Sequence, residues 1–212
     1  MAFYERRMTA ALMRKNIVSR QRFILIAKEI FRKSIHLCSA FIPLLLKYMY
    51  VPVLVSLSLV TVIYIVCEYA HFKGRHIPVI STITAAAARK RDENKFVLGP
   101  VTLSMGIIIC SLMWEPLPAA IGVYALAFGD GLASLAGKLF GKIRIPLTEG
   151  KTAAGSLTCF SAIFISAFLT GGDAGVALIV ASAGMFIEVL PLKDFDNLII
   201  PVALGGLAQL CL

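Results

Sequence analysis

Long apolar segments recur along most of this chain, and they constrain its fold more than any other feature. Of the 212 residues, 58% are hydrophobic and 16% are charged, whereas about a quarter of the residues of a typical soluble domain are charged. One globular core cannot bury so much apolar surface, so lipid must solvate part of it. The sequence therefore predicts an all-α, polytopic transmembrane protein.

Seven apolar spans are predicted after a basic N-terminal segment. Residues 1–34 are predicted to form an amphipathic helix at the membrane interface, with a solvated basic tail as the alternative. Residues 35–212 are predicted to form a single transmembrane domain. Several spans are shorter than the ~20 residues of a free-standing transmembrane helix, and tilting or local thinning of the bilayer would accommodate them. The spans are Ile35–Met49, Val53–Tyr69, Val101–Trp114, Pro118–Leu135, Ala154–Thr170, Ala174–Leu190 and Leu198–Leu212.

The basic residues lie almost entirely on one side of these spans. If the N-terminus is cytoplasmic, twenty of the 21 Lys and Arg residues fall on the inner side, and only Lys47 falls on the outer side. Cytoplasmic loops of membrane proteins carry such an excess. The sequence therefore predicts a cytoplasmic N-terminus and a C-terminus on the opposite side. The net charge of +9 is accordingly attributed to topology and anionic lipid, and no nucleic acid partner is expected.

Asp130 is the first candidate functional residue, because it lies toward the inner end of the fourth span. A carboxylate in hydrocarbon is energetically costly, so it should face a partner, a cation or a water-filled cavity. The flanking Gly129 and Gly131 would let a ligand approach the backbone closely. The alternative is a helix-packing motif that contains a stray polar residue.

A second cluster opens the fifth span with Lys151, Thr152, Gly155 and Ser156. Backbone N–H groups and the positive end of a helix dipole at such a position suit a phosphate group. The cluster is not a Walker A loop, because the G-x-x-x-x-G-K-[ST] pattern is absent. An ordinary turn between helices, which favours the same residue types, is the alternative.

A third cluster closes the sixth span and contains Glu188, Asp196 and Asn197. Asp194 lies in the same cluster, and oxygen ligands at the density of Asp130, Glu188, Asp194 and Asp196 on the inner face would suit Mg²⁺ that is bound jointly with nucleotide phosphates. The alternative is an ordinary acidic loop. Two cations and a histidine, Arg32-Lys33-x-x-His36, lie at the entry of the first span, although a lone histidine there is more often structural.

The order and spacing of these motifs resemble the CTP-dependent lipid kinases, which include dolichol kinase, phytol kinase and the yeast-type diacylglycerol kinase. That family is similar in turn to phosphatidate cytidylyltransferase. The resemblance covers the chain from about residue 29 to its end, with one departure, since Glu68 is not followed by the usual Arg. The matching elements are Arg32-Lys33-x-x-His36, Gly99-Pro100, Gly129-Asp130-x-x-Ala133-x-x-x-Gly137-Lys138-x-Phe140-Gly141-Lys142, Lys151-Thr152-x-x-Gly155-Ser156, Glu188 and Asp196-Asn197-Leu198-x-x-Pro201.

The resemblance implies a transmembrane catalytic domain that transfers the γ-phosphoryl group of CTP to a membrane lipid alcohol at the cytoplasmic face. The acceptor would be a polyprenol such as dolichol, phytol or diacylglycerol. The catalytic candidates that it implies are Asp130, Glu188 and His36, and the ligands of Mg²⁺, or of another divalent cation, would be Asp130, Glu188, Asp196 and Asn197. The implied nucleotide-binding residues are Arg32, Lys33, Gly129, Gly131, Ser134, Gly137, Lys138, Gly141, Lys142, Lys151, Thr152, Gly155 and Ser156.

Two other functions fit parts of the sequence. A phosphatidate cytidylyltransferase would share the CTP-binding region, and Lys193-Asp194 is present, but the Pro-Gly-His-Gly-Gly loop that should follow is absent. A transporter would explain Asp130 at a helix break but not the three separate clusters. The identity of the acceptor, the general base and the oligomeric state stay open at this point.

Overall fold

A computed structural model describes residues 26–75, 84, 95–146, 148 and 150–212. Apart from one isolated β-bridge between Arg144 and Thr152, regular structure in these ranges is helical, as the sequence predicts. Residues 1–25 of the predicted interfacial helix lie outside the described residues. Residues 26–38 form a helix, α1, that continues across residue 34.

Within the described residues, three helical segments are long and apolar enough to cross a membrane. They are Tyr50–Phe72, the continuous segment Pro116–Phe140, and Ala153–Gly171. Three shorter apolar helices, Gly99–Met113, Ala174–Val189 and Asp196–Cys211, have 15 or 16 residues. These lengths support a membrane protein, while the count of seven spans and their orientation stay predictions. The helices after α1 are α2 (Phe41–Tyr48), α3 (Tyr50–Phe72), α4 (Gly99–Met113), α5 (Pro116–Tyr124), a π-helix (Ala125–Asp130), α6 (Gly131–Phe140), α7 (Ala153–Gly171), α8 (Ala174–Val189) and α9 (Asp196–Cys211).

The first predicted span is not one helix. It divides into the end of α1 and the short helix α2, separated by a turn at Ser39 and Ala40. Pro43 lacks an N–H group and cannot continue a regular helical hydrogen-bond ladder from the preceding turn. The Ser39 hydroxyl instead donates to the His36 carbonyl at 2.6 Å. The chain is thus bent directly after the Arg32-Lys33-x-x-His36 motif.

The predicted span Pro118–Leu135 forms the centre of a longer helical segment, Pro116–Phe140. Its middle turn, Ala125–Asp130, is a π-helix that ends on Asp130. Such turns insert an extra residue into a helix and are frequent at functional sites. The irregularity therefore falls at the carboxylate that the sequence singles out.

Small residues allow α9 to pack very closely on α4 and α5. A Cβ atom added to Gly106 would lie 2.3 Å from the Asn197 carbonyl oxygen, and one added to Gly122 would lie 2.3 Å from the Pro201 carbonyl oxygen. Close backbone approach of this kind is a main source of helix association in membranes. In contrast, α3 buries few side chains, and its outward-facing valines and leucines suit contact with lipid.

Candidate functional site

One face of α1 carries buried polar residues. Glu29, Lys33 and His36 follow one another at intervals of four and three residues, which places them on the same side of a helix. All three are at most 5% exposed. Buried charges of this kind require partners, and α6 with the preceding π-helix supplies them.

Asp130 has two partners on α1. The Lys33 ammonium donates to Asp130 Oδ2 at 2.5 Å, and His36 Nδ1 lies 3.2 Å from the same oxygen. All three side chains are buried. The expectation that Asp130 faces a partner is therefore met, and the Lys33 ammonium stabilises the charged carboxylate.

Glu29 forms a second cluster one turn away. Arg32 donates to both of its carboxylate oxygens, at 2.6 and 2.7 Å, and Ser134 and Lys138 also donate to them. Burial raises the pKa of this carboxyl, but Arg32 and the hydrogen bonds from Lys138 and Ser134 lower it more, so the pKa falls from 4.5 to about 2. Glu29 is thus an anion held among three groups that the sequence assigns to the nucleotide.

These two clusters share one stripe of α6 and the π-helix. Asp130, Ser134 and Lys138 lie four residues apart, and all three contact α1 through Lys33 or Glu29. Residues at this spacing occupy one side of a helix. The contact between α1 and this segment is therefore built from charged and hydrogen-bonded groups.

The neighbouring stripe consists of small residues and faces α7. A Cβ atom on Gly129 would lie 2.7 Å from Ile163, and one on Gly137 would lie 2.9 Å from Thr152 Oγ1. From the other side, a Cβ atom on Gly155 would lie 3.0 Å from the carbonyl oxygen of Ala133 in the same stripe. Protein atoms occupy the space beside these glycines in which the sequence predicts a ligand. These glycines therefore permit close packing of the helices.

Gly141 behaves in the same way, since a Cβ atom there would lie 2.5 Å from Thr152 Oγ1. Gly131 differs, because a Cβ atom there would make ordinary van der Waals contact, at 3.4 Å, with Leu37 of α1. The Thr152 hydroxyl also accepts a hydrogen bond from the Gly155 N–H at 3.2 Å and caps the start of α7. Contacts of these residues with a nucleotide stay predictions, as does the contact of the exposed Lys142.

A second ion pair, partly exposed at Lys151, joins the segment just before α7 to α8. Lys151 Nζ lies 3.0 Å from Glu188 Oε1. The other carboxylate oxygen of Glu188 and the hydroxyl of Ser156 are both buried, and neither has a hydrogen-bond partner among the residues that the structure describes. Because unpaired buried polar atoms are costly, they indicate that water, an ion or a ligand binds here.

The two ion pairs belong to one polar region. The helix that follows Lys151 packs directly beside Asp130, since a Cβ atom on the neighbouring Gly129 would lie 3.5 Å from Cys159 Sγ on α7. Residues that are far apart in sequence on α1, α6, α7 and α8 are thereby brought together. Of the sequence-predicted site residues, those that form the centre are Lys33, His36, Asp130, Lys151 and Glu188.

Two predicted metal ligands serve other contacts. The Asn197 amide donates to the Gly99 carbonyl at 3.4 Å and to Thr102 Oγ1 at 3.2 Å, which ties α9 to α4. Asp196 Oδ1 accepts a hydrogen bond from the Asn197 N–H at 2.8 Å. Within the described ranges, no group of three or more His, Cys, Asp or Glu side chains is placed to hold a metal ion. A preformed cluster of all four predicted ligands is therefore not present there.

Glu29 was missed by reasoning from the sequence, although it belongs to the centre of the charged contact. The signal that could have revealed it is its position on the helical face of Lys33 and His36, three residues before Arg32. An acidic residue at that spacing pairs with arginine on a helix. Its contacts with Ser134 and Lys138, more than 100 residues away, could not be read from spacing.

Comparison with known proteins gives distant relatives. The chain is 29% identical to an uncharacterized protein of Methanocaldococcus jannaschii over 82% of its own length and 89% of the relative. It is 29% identical to the chloroplastic farnesol kinase of Arabidopsis thaliana over 52% of the chain and 41% of that enzyme. It is 27% identical to a probable chloroplastic phytol kinase of Triticum aestivum over 57% of the chain and 46% of that protein. No protein-family model and no solved structure matches it.

These relatives support a kinase that acts on a lipid alcohol. The chain spans less than half the length of the plant kinases that it matches, so their complete activities do not transfer directly. Together with helices long enough to cross a membrane, the comparison supports the class of membrane-bound transferases. The nucleotide donor and the acceptor are taken up below.

Proposed function

We propose that this protein is a CTP-dependent kinase that phosphorylates the hydroxyl group of a prenyl lipid alcohol at the cytoplasmic membrane surface. The observation that carries the proposal is the buried Lys33–Asp130–His36 cluster, in a chain whose named relatives are farnesol and phytol kinases. CTP as donor follows from the motif resemblance, and the cytoplasmic face follows from the distribution of Lys and Arg. The relatives are farnesol and phytol kinases, which favours a prenol over diacylglycerol as the acceptor.

The acceptor hydroxyl is assigned to the Asp130 side of the polar region. Lys33 Nζ donates a hydrogen bond to Oδ2 of Asp130, and His36 Nδ1 lies 3.2 Å from the same oxygen. These two contacts fix the position of the carboxylate and leave little room for a metal ion at that oxygen. A positioned carboxylate that takes the proton of the attacking hydroxyl is a common element of phosphoryl-transfer sites. Asp130 is therefore proposed as the base, and Lys33 and His36 as the groups that position it.

The phosphate groups are assigned to the start of α7. Lys151 and the backbone at the beginning of this helix present positive charge, and the Ser156 hydroxyl is buried without a partner among the described residues. Lys138 and Arg32 would add positive charge, after exchanging part of their contact with Glu29 for phosphate oxygens. This arrangement would place the γ-phosphoryl group between Lys151 and Asp130.

A magnesium ion fits the chemistry of Glu188. In phosphate-transferring enzymes this ion is commonly held by one or two carboxylates together with substrate phosphates, so a cluster of protein ligands is not required. The unpaired, buried Oε2 of Glu188 is such a carboxylate oxygen. When bound, Mg²⁺ would neutralise charge on the β- and γ-phosphate oxygens.

The reaction balances with these groups. A bond forms between the acceptor oxygen and the γ-phosphorus, the bond from that phosphorus to the β-phosphate oxygen breaks, and the hydroxyl proton passes to Asp130. The products are CDP and a prenyl monophosphate. Catalysis in this scheme rests on positioning and on neutralisation of phosphate charge.

The test is an assay of purified protein in detergent with γ-labelled and α-labelled nucleoside triphosphates and farnesol or phytol. We expect label from the γ-position of CTP in a lipid monophosphate, unlabelled lipid from α-labelled CTP, and dependence on Mg²⁺. A parallel assay replaces the alcohol with phosphatidate, and label from the α-position in a CDP-lipid, with release of pyrophosphate, would indicate a cytidylyltransferase. Nucleotide consumption that does not depend on the alcohol would contradict the proposal.

A further inference from the structure

An open apolar groove of about 380 Å³ lies beside the polar region. Its volume falls in the range of about 300–1,000 Å³ that is usual for small-molecule sites. Its walls come from the end of α1, α2, the α5–π-helix segment and the later part of α7. The lining residues are Leu37, Ala40, Phe41, Leu44, Tyr124, Phe128, Ser166, Leu169 and Thr170.

The two aliphatic hydroxyls in this lining are satisfied by their own helix. Ser166 donates to the Ile163 carbonyl at 3.1 Å, and Thr170 donates to the Ser166 carbonyl at 2.7 Å. They therefore present mainly carbon to the groove. The stacked rings of Tyr124 and Phe128, with centroids 6.0 Å apart, form another part of the wall. Such a surface suits a hydrocarbon chain.

One end of the groove lies near the Asp130 cluster, although Lys33, His36 and Asp130 do not line it. Leu37 follows His36 directly and packs over Gly131, and Phe128 lies two residues before Asp130. From there the groove extends away from the cluster, because Tyr124 is one helical turn further from Asp130 and Thr170 lies beyond Ile163 on α7. The groove is thus an apolar path that begins near the buried charged cluster and leads away from it.

We infer that this groove binds the hydrocarbon chain of the acceptor alcohol and delivers its hydroxyl group to Asp130. The inference rests on the proposed function and adds the place and chemistry of the acceptor. A bilayer phospholipid fits less well, since its charged head group would have to enter the space beside the buried Lys33 and Asp130. An alcohol has a small polar end that matches this position.

The test uses Thr170→Phe, which fills the groove away from Asp130, and Ser161→Phe, which adds the same ring at an exposed position of α7. Activity of each variant is measured with dimethylallyl alcohol, geraniol, farnesol and phytol. For Thr170→Phe we expect kcat/KM to fall about tenfold or more for farnesol and phytol. We expect it to stay near the wild-type value for dimethylallyl alcohol, which is too short to reach residue 170. Ser161→Phe should keep the wild-type dependence on chain length.

The outcomes separate the two proposals. If the wild-type protein phosphorylates none of these alcohols, the proposed function fails. If the wild-type protein is active and Thr170→Phe leaves the dependence on chain length unchanged, or lowers all four rates equally, the groove does not bind the acceptor chain. Should Thr170→Phe not fold, a farnesol analogue with a terminal diazirine is crosslinked to the wild-type protein. Labelling of Leu44 or Thr170 supports the inference, and labelling confined to α3 overturns it.

Discussion

The segment from Gly129 to Gly141 has two faces that differ in almost every respect. Toward α1 it presents Asp130, Ser134 and Lys138, each bound to a buried charged residue. Toward α7 it presents a stripe of glycine and alanine with almost no space for another atom. Adjacent stripes of one helix thus use electrostatic attraction on one side and close packing on the other.

The two faces of this segment have different roles, one in binding substrate and the other in packing against α7. The α7 face is rigid, because any side chain added there meets protein within about 3 Å. The α1 face consists of groups that a phosphate or a hydroxyl could also bind, so its partners can be exchanged. We therefore propose that Arg32 and Lys138 exchange contacts with substrate on the charged face, where Lys33 and His36 position Asp130, while the small-residue face fixes α6 against α7.

The largest effect on stability is expected for Lys33→Met. This change leaves the Asp130 carboxylate buried without its 2.5 Å partner, and the loss of one member of a buried ion pair costs about 3–5 kcal/mol. Thermal unfolding in detergent micelles measures the effect. The double variant Lys33→Met/Asp130→Asn, which removes both charges, should recover most of the lost stability. Equal stability of the single and double variants would show that the pair is not coupled.

A smaller loss is expected for Gly137→Val on the other face. The added side chain meets Thr152 and the backbone of Gly155, and overpacking of this kind costs about 1–3 kcal/mol. Gly99→Val is the matched control, since a Cβ atom there has no neighbour within 4 Å. The same unfolding measurement compares the two variants. A Gly137→Val protein as stable as the control would mean that α6 and α7 are not closely packed.

A comparable loss that depends on pH, about 1.5–3 kcal/mol at neutral pH, is expected for Glu29→Gln, because the variant removes a buried anion that accepts hydrogen bonds from Arg32 and Lys138. The folded pKa of Glu29 is about 2, below its ordinary 4.5, so its charge stabilises the folded state above about pH 4.5. This contribution is lost as the pH falls from about 4.5 toward 2. The stability difference between wild type and variant should therefore shrink over that range. A difference that is constant with pH would contradict the assigned contacts.

Much of the helical framework could be predicted from the sequence. The predicted span Ala154–Thr170 agrees closely with α7, and Ala174–Leu190 agrees with α8, because apolar runs bounded by glycine or by the capping residues Thr152 and Asp173 mark helix ends. The first span was less predictable. Hydropathy alone does not register the turn before Pro43.

The sequence predicted which residues belong to the site, but it did not predict which of them contact one another. The costly position of Asp130 indicated a partner, but the pairing with Lys33, 97 residues away, depends on tertiary structure. Gly129 and Gly131 were interpreted as room for a ligand, whereas Gly129, Ala133 and Gly137, spaced by four residues, form a packing stripe. That spacing is visible in the sequence. It distinguishes a surface that packs against another helix from one that contacts a ligand more directly than the number of glycines does.

The central claim is that Asp130 takes part in phosphoryl transfer to a lipid alcohol. Transfer of label from γ-labelled CTP to farnesol should be compared in the wild-type protein and in Asp130→Asn, with nucleotide binding and thermal unfolding measured on the same samples. We predict that Asp130→Asn stays folded and binds CTP but loses turnover by about 10²–10⁴-fold, the usual contribution of a positioned base. Near-normal transfer by Asp130→Asn would contradict the account.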